Sequence, residues 1–319
     1  MALQPQVKNL LDQIAAAMAD GAPKIEEMSV QENRDGLLAF YAGVIGEPQE
    51  VAKVENINIP VEGAEIGLRI YTPKGDGPFP VFVYYHGGGW VLGDLEVVDP
   101  LLRSLTNSTE CLVVSVDYRL APENKFPVPV EDCYAATKWV SENIAKYNGD
   151  PSRIAVGGDS AGGNIAAVVP LMAKDRGGPD IAYQLLLYPV TDFRFNTQSY
   201  VDNGKGFYLE EPAMHWFADQ YFSNTEVEKL HPYASPLLAK DVSGLPPALV
   251  ITCEYDVLRD EGEAYAERLK EAGVPVELTR YDGQIHGFLW MPVIMDDAKK
   301  GVEQIATALK KQFSSRQSV

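Results

Sequence analysis

A chain of 319 residues with 46% hydrophobic and 23% charged residues has the balance of a soluble globular protein with a large core, which sets aside disordered and membrane-embedded classes. Its formal net charge of −18 repels phosphate backbones and anionic lipid, so neither nucleic-acid binding nor electrostatic docking on a membrane is expected. No apolar run reaches the roughly 18 residues that span a bilayer. The opening MALQPQVKNL lacks the basic-then-apolar pattern of a secretory signal, so cytoplasmic placement without stable membrane insertion is expected.

In chain order, Val7, Leu10, Leu11, Ile14, Ala15 and Met18 fall on one face at helical spacing, and Asp20-Gly21-Ala22-Pro23 ends the pattern. A second helix is expected over about 30–44, making 1–50 a helical segment whose apolar face must cover something. From Val54 the period changes to two: VENINIP and IGLRIYTP read as exposed strands joined through Glu62-Gly63-Ala64. The later runs PVFVYYH, CLVVSVD, RIAVGG, YQLLLYPV, PALVITC and PVELTRYD are nearly continuous and short, as in parallel strands covered on both faces. Helical stretches at about 98–109, 130–147, 161–175 and 259–272, and one after Asp296, alternate with them. That alternation argues a doubly wound α/β sheet. The interval 191–245 breaks the rhythm with aromatic residues, loops and one helix near 212–222. It reads as an insertion that, with the first fifty residues, caps a core made of 51–190 and 246–319. Cys111, Cys133 and Cys253 are widely spaced in or beside apolar segments and suit reduced core thiols. The four histidines show no metal-ligand spacing, so no metal is expected.

Three features carry chemistry. Gly158-Asp159-Ser160-Ala161-Gly162 fits G-x-S-x-G between the apolar strand Ile154 to Val156 and a helix start of small residues, the context in which a strained turn exposes a serine oxygen. His86-Gly87-Gly88-Gly89-Trp90 directly follows the strand Val81 to Tyr85. Glycines there let backbone N–H groups face a developing oxyanion, and Gly88, Gly89 and Ala161 are the candidate donors. His86 is expected to brace the loop. A serine at neutral pH needs a base within hydrogen-bond reach, with partners in the order Ser, acid, His. Of the histidines after Ser160, only His286 stands in a loop just past an expected core strand; His215 and His231 suit surface or capping roles. Asp256, after the strand Ala248 to Cys253, is the candidate acid, with Glu254, Asp260 and Asp282 as rivals.

The chain resembles the hormone-sensitive-lipase-like family of α/β-hydrolases, especially its microbial carboxylesterases. The resemblance rests on HGGGW (His86 to Trp90), DYRLAPE (Asp117 to Glu123), GDSAGGN (Gly158 to Asn164), YDVLRDEG (Tyr255 to Gly262) and HGF (His286 to Phe288). It implies an α/β-hydrolase fold: a mostly parallel eight-stranded sheet flanked by helices, with a helical cap. It also implies cofactor-free hydrolysis of short acyl esters, with Ser160, Asp256 and His286 as triad and Gly88, Gly89 and Ala161 as oxyanion hole. Val257 stands where many relatives have proline after the acid.

The expected activity is that of a serine carboxylesterase acting on small-molecule esters of short to medium acyl chains through an acyl-enzyme. Amidase or lipase chemistry with the same triad, and a ligand-binding protein without turnover, are the alternatives. Trp90, Tyr188, Phe207, Met214, Trp216, Phe288 and Leu289 are expected to line an apolar pocket. A homodimer through an edge strand is a further expectation.

Overall fold

The computed structural model describes residues 2–316. Its sheet holds β1 (Lys53–Val61), β2 (Ala64–Thr72), β3 (Phe79–Tyr85), β4 (Leu112–Asp117), β5 (Gly149–Asp159), β6 (Tyr183–Leu187), β7 (Ala248–Tyr255) and β8 (Val276–Ile285). The spatial order is β1-β2-β4-β3-β5-β6-β7-β8. β1 and β2 form an antiparallel hairpin, β2 runs antiparallel to β4, and every other pairing is parallel. This is the α/β-hydrolase architecture.

The apolar runs explain the order. β6 is buried at every residue, and β3 at all but Pro80, because helices cover both faces. On one face α3 (Leu95–Thr109) and α10 (Asp296–Arg316) bring Val98, Leu105, Ile305 and Leu309 against Phe82, Tyr84 and Val113. On the other, α4 (Val128–Asn143) and α5 (Ala161–Arg176) bring Val130, Cys133 and Ile165 to the core of Val81, Val83 and Val156, which Tyr265 of α9 (Arg259–Glu271), packed on β7, extends. Alternate strand residues feed opposite cores, as the pleat requires. All three cysteines are buried free thiols.

Two readings of strand environment change. PVELTRYD is not interior: β8 ends the sheet, and its Glu277 and Arg280 are exposed. Three residues apart, these two side chains lie on opposite faces of the strand, Glu277 beside Gln304 of α10 and Arg280 beside Glu263 of α9, as an edge position allows. Conversely, IGLRIYTP is less exposed than its alternation suggested, since Ile66, Leu68, Ile70 and Tyr71 are all buried.

The first helix, α1 (Pro5–Ala19), packs Val7 and Leu10 onto Ile285, Met291, Met295 and Ala298. In α2 (Val30–Val44) the start is fixed by a reciprocal cap: the Glu32 N–H donates to Ser29 Oγ (3.3 Å) and the Ser29 N–H to Glu32 Oε2 (2.8 Å). Between β6 and β7 the chain makes α6 (Gln198–Asn203), α7 (Glu211–Tyr221) and α8 (Thr225–Glu228). Both segments reach over the carboxyl ends of the strands, where open α/β sheets bind ligands.

Candidate active site

Ser160 sits between β5 and α5 with φ 55° and ψ −117°, a conformation that costs a residue bearing a side chain on the order of 1–3 kcal/mol. Its surroundings hold it there: the Ser160 N–H donates to Leu187 O (2.9 Å), and its carbonyl accepts from Asn164 N (3.0 Å) and Val190 N (3.3 Å). The turn passes so close to β3 that a Cβ on Gly162 would meet the Tyr85 carbonyl oxygen. The Ala161 N–H lies in the first turn of α5, where no intrahelical acceptor exists, and the helix dipole adds positive character.

His286 follows the end of β8, and its Nε2 lies 2.9 Å from Ser160 Oγ. On the ring's other side Nδ1 lies 2.7 Å from Asp256 Oδ2. With Nδ1–H donating to the carboxylate, Nε2 is left to accept the serine proton. Asp256 and His286 are both buried, and the Tyr188 ring stands edge-on to the imidazole at 4.9 Å. The acid turn is held by the segment after β6. Asn203 Nδ2 donates to Asp256 O (3.1 Å), Ser199 Oγ to Val257 O (2.5 Å), and Leu258 N to Asp256 Oδ1 (3.0 Å). Those bonds keep the turn closed with valine at 257.

The rival acids are engaged elsewhere. Glu254 accepts from Gly283 N (2.7 Å), and Asp260 accepts from Ser199 N (2.7 Å) and Arg259 (2.8 Å). Asp282 is exposed. His215 is exposed beside Glu211, and His231 Nδ1 accepts the Tyr233 N–H (3.0 Å).

Past β3 the backbone takes positive φ three times running, at Gly88 (107°), Gly89 (61°) and Trp90 (61°). The Gly88 carbonyl closes the turn by accepting from Val91 N (3.1 Å) and Leu92 N (2.8 Å). A Cβ on Gly88 would strike Leu92 O. The turn lies beside the serine because Asp159 Oδ1 accepts both the Gly87 N–H (3.0 Å) and the Tyr84 hydroxyl (2.7 Å). Burial pushes this carboxyl up to about 6, against those two hydrogen bonds, which pull it down. His86 stacks on Tyr118 with ring centres 4.3 Å apart, and its Nδ1 bonds Gly87 O (2.7 Å). Burial lowers the imidazole to about 4, so it is neutral at physiological pH.

A cavity of about 250 Å³ opens over Ser160 and His286. Ile25, Leu37 and Tyr41 from the N-terminal segment form one wall; Tyr208, Leu209, Ala213 and Phe217 form another; Leu92, Val97 and Trp290 close the rest. None of the seven residues expected to line it does so. Trp90 stacks on Tyr221 (4.5 Å), Phe207 stacks on Tyr255 (5.0 Å), and Trp216 packs edge-on against Phe217 (5.2 Å). Tyr188 and Phe288 pack behind His286, while Met214 and Leu289 are buried in the two main cores. The aromatic side chains at the cavity are instead Tyr41, Tyr208, Phe217 and Trp290. Tyr41 went unnoticed although its spacing from Leu37 puts both on one face of α2; its hydroxyl lies 3.4 Å from that of Tyr208 across the cavity.

Among the described residues no cluster of three or more His, Cys, Asp or Glu side chains suits a metal ion. No helix there is long and apolar enough to cross a membrane.

The sequence profile of a family described as the alpha/beta hydrolase fold matches residues 82–290. The chain is 44% identical over 273 residues to the carboxylic ester hydrolase LipN of Mycobacterium tuberculosis, covering 84% of this chain and 72% of that protein. It is 37% identical over 292 residues to an arylesterase of Saccharolobus solfataricus, covering 92% and 94%. The structure of a hyperthermophilic esterase from the archaeon Pyrobaculum calidifontis superposes with a TM-score of 0.91 at 45% identity, covering 98% of this chain and 99% of that one.

Proposed function

We propose, from the premise that this chain belongs to the α/β-hydrolase family and is a carboxylesterase, that it cleaves short- to medium-chain acyl esters through an acyl-enzyme on Ser160. The observation that carries the assignment is the relay of two hydrogen bonds, Ser160 Oγ to His286 Nε2 and His286 Nδ1 to Asp256 Oδ2.

Ser160 Oγ attacks the ester carbonyl carbon as its proton passes to His286 Nε2. The resulting oxyanion is received by the N–H groups of Gly88, Gly89 and Ala161, and Asp256 stabilises the imidazolium. The bond from carbon to the alcohol oxygen then breaks, and Nε2–H protonates the departing alcohol. A water molecule next gives a proton to Nε2 and attacks the acyl carbon. Collapse of the second tetrahedral intermediate returns that proton to Ser160 Oγ and frees the acid.

Chain-length preference rests on the cavity, apolar and about 250 Å³, just under the roughly 300–1,000 Å³ of drug-sized ligand sites. Work in the cytoplasm suits the three free thiols, and a homodimer through β8 suits its place at the end of the sheet, where Gln4 covers only the stretch at Asp282 and Gly283; cell fractionation and light scattering read these two.

The primary test is hydrolysis of p-nitrophenyl butyrate by the wild type and by Ser160→Ala. The expected loss of turnover is at least about ten-thousandfold. A variant that keeps its turnover would overturn the nucleophile assignment, and a wild type that binds the ester without turnover would favour a non-catalytic binding protein.

A further inference from the structure

The strained turn at Gly88-Gly89-Trp90 is held on three sides. Gly88 O is taken by the turn's own N–H groups, and Trp90 O accepts the Ala121 N–H (2.9 Å). The third restraint comes from a distant part of the chain: Arg34, in α2, donates from Nε to Val91 O (2.9 Å) and from Nη2 to Ala121 O (3.0 Å). Its two terminal nitrogens also meet both oxygens of Glu123, each at 2.8 Å. One planar guanidinium therefore bolts together α2, the turn after β3 and the loop after β4, which carries the DYRLAPE motif.

The ion pair is not what gives this arrangement its importance. Glu123 is 57% exposed, and pairs of that kind contribute only about 0–1 kcal/mol to stability. What matters is direction. A residue with a side chain at φ 61° stays there only when its surroundings over-determine it, and Arg34 supplies two of the restraints with the fixed fork that only arginine has. The same helix places Leu37 and Tyr41, three and seven residues further on, in the cavity wall. A single rigid element thus sets both where a substrate rests and where the Gly88 and Gly89 N–H groups point.

We propose that Arg34 is a positioning residue for ester hydrolysis, holding the oxyanion turn in its reactive geometry from the N-terminal helix. The inference rests on the reading of Gly88 and Gly89 as oxyanion donors. It goes beyond that reading in assigning part of the donor geometry to a side chain outside every motif of the catalytic core.

The test uses the full chain and three forms: wild type, Arg34→Met, which keeps the aliphatic stem, and Arg34→Lys. Two quantities are read: kcat and KM on p-nitrophenyl butyrate, and the inhibition constant of an aliphatic trifluoromethyl ketone. That ketone adds to the serine as a hemiketal, so its oxygen sits where the oxyanion would. Removing an entire oxyanion donor costs on the order of a hundredfold or more in kcat, and a displaced turn weakens two donors without deleting either. Arg34→Met is therefore expected to lower kcat about tenfold with KM within about twofold, and to weaken the ketone by the factor lost from kcat. Arg34→Lys, whose three donors radiate from one nitrogen and cannot span Val91 O, Ala121 O and Glu123 as the planar fork does, falls between.

A folded Arg34→Met protein whose kcat and ketone affinity stay within about twofold of wild type overturns the proposal, as does a loss confined to KM or to the melting temperature. Should the methionine variant not fold, Arg34→Lys carries the test, with an expected loss of about threefold in both quantities and no change in either as the refuting result. A wild type that binds the trifluoromethyl ketone no better than its methyl analogue removes the oxyanion assignment itself, an outcome read without any Arg34 variant.

Discussion

Asp159 and His86, neighbours in the oxyanion region, respond to acid in opposite directions. Asp159 is 4% exposed and is pushed up from its ordinary 3.8 to about 6 by burial. A group raised in the fold contributes stability that is complete below 3.8 and is lost as pH rises through 6. His86 is depressed by burial from 6.5 to about 4; its contribution is complete above 6.5 and is lost as pH falls through 4. Between those limits the two largely offset each other. Asp159→Asn retains an acceptor oxygen for the Tyr84 hydroxyl and the Gly87 N–H and removes only the titration. In the difference between wild type and variant every other group cancels, leaving the wild type gaining about 1 kcal/mol on the variant between pH 7 and 5, and about 2 by pH 4. Urea unfolding at pH 7, 6, 5 and 4 measures it, and the variant's midpoint is expected to fall more steeply with acid. Stability curves that run parallel to within about half a kcal/mol would refute the reasoning and return Asp159 to an ordinary carboxylate.

Two substitutions address the relay and the cavity. Asp256→Asn removes the charge that orients His286 Nδ1–H and is expected to lower kcat about ten-thousandfold at neutral pH while KM moves little; a loss below about tenfold would remove Asp256 from its role. Phe217→Ala opens the wall beside Gly89, against which the ring stands. Each further methylene then buried adds up to about 0.8 kcal/mol, close to fourfold in kcat/KM, so the optimum on a p-nitrophenyl ester series shifts to longer chains. An unshifted optimum means that the acyl group lies elsewhere.

The serine turn, the glycine turn and the acid loop were legible in the sequence because each imposes a local demand on residue type. Only glycine fits against Tyr85 O at 162 or takes the Gly88 conformation beside Leu92 O, and the strand before each turn is a recognisable apolar run. The cavity wall makes no such demand. In α7 it depends on rotation about the helix axis: Ala213 and Phe217, four apart, face the cavity, while Met214 and Trp216 face away. After His286 the short turn Phe288–Trp290 buries Phe288 and Leu289 and leaves Trp290 at the cavity, a distinction that no periodicity over three residues carries. α6 and α8, of six and four residues, are likewise too short to show a helical period.

The seat of α1 has a bearing on how the protein comes into being. Its Val7 and Leu10 rest on Ile285, Met291, Met295 and Ala298, and the Gln4 N–H reaches Gly283 O at 3.2 Å. α1 thus has its resting place made of residues that are translated well after it. Until those residues are made, that apolar face stays without its native partner. When the partner is made, it comes with His286 on the same stretch of chain, so the residues that cover α1 and the base that serves Ser160 are made together.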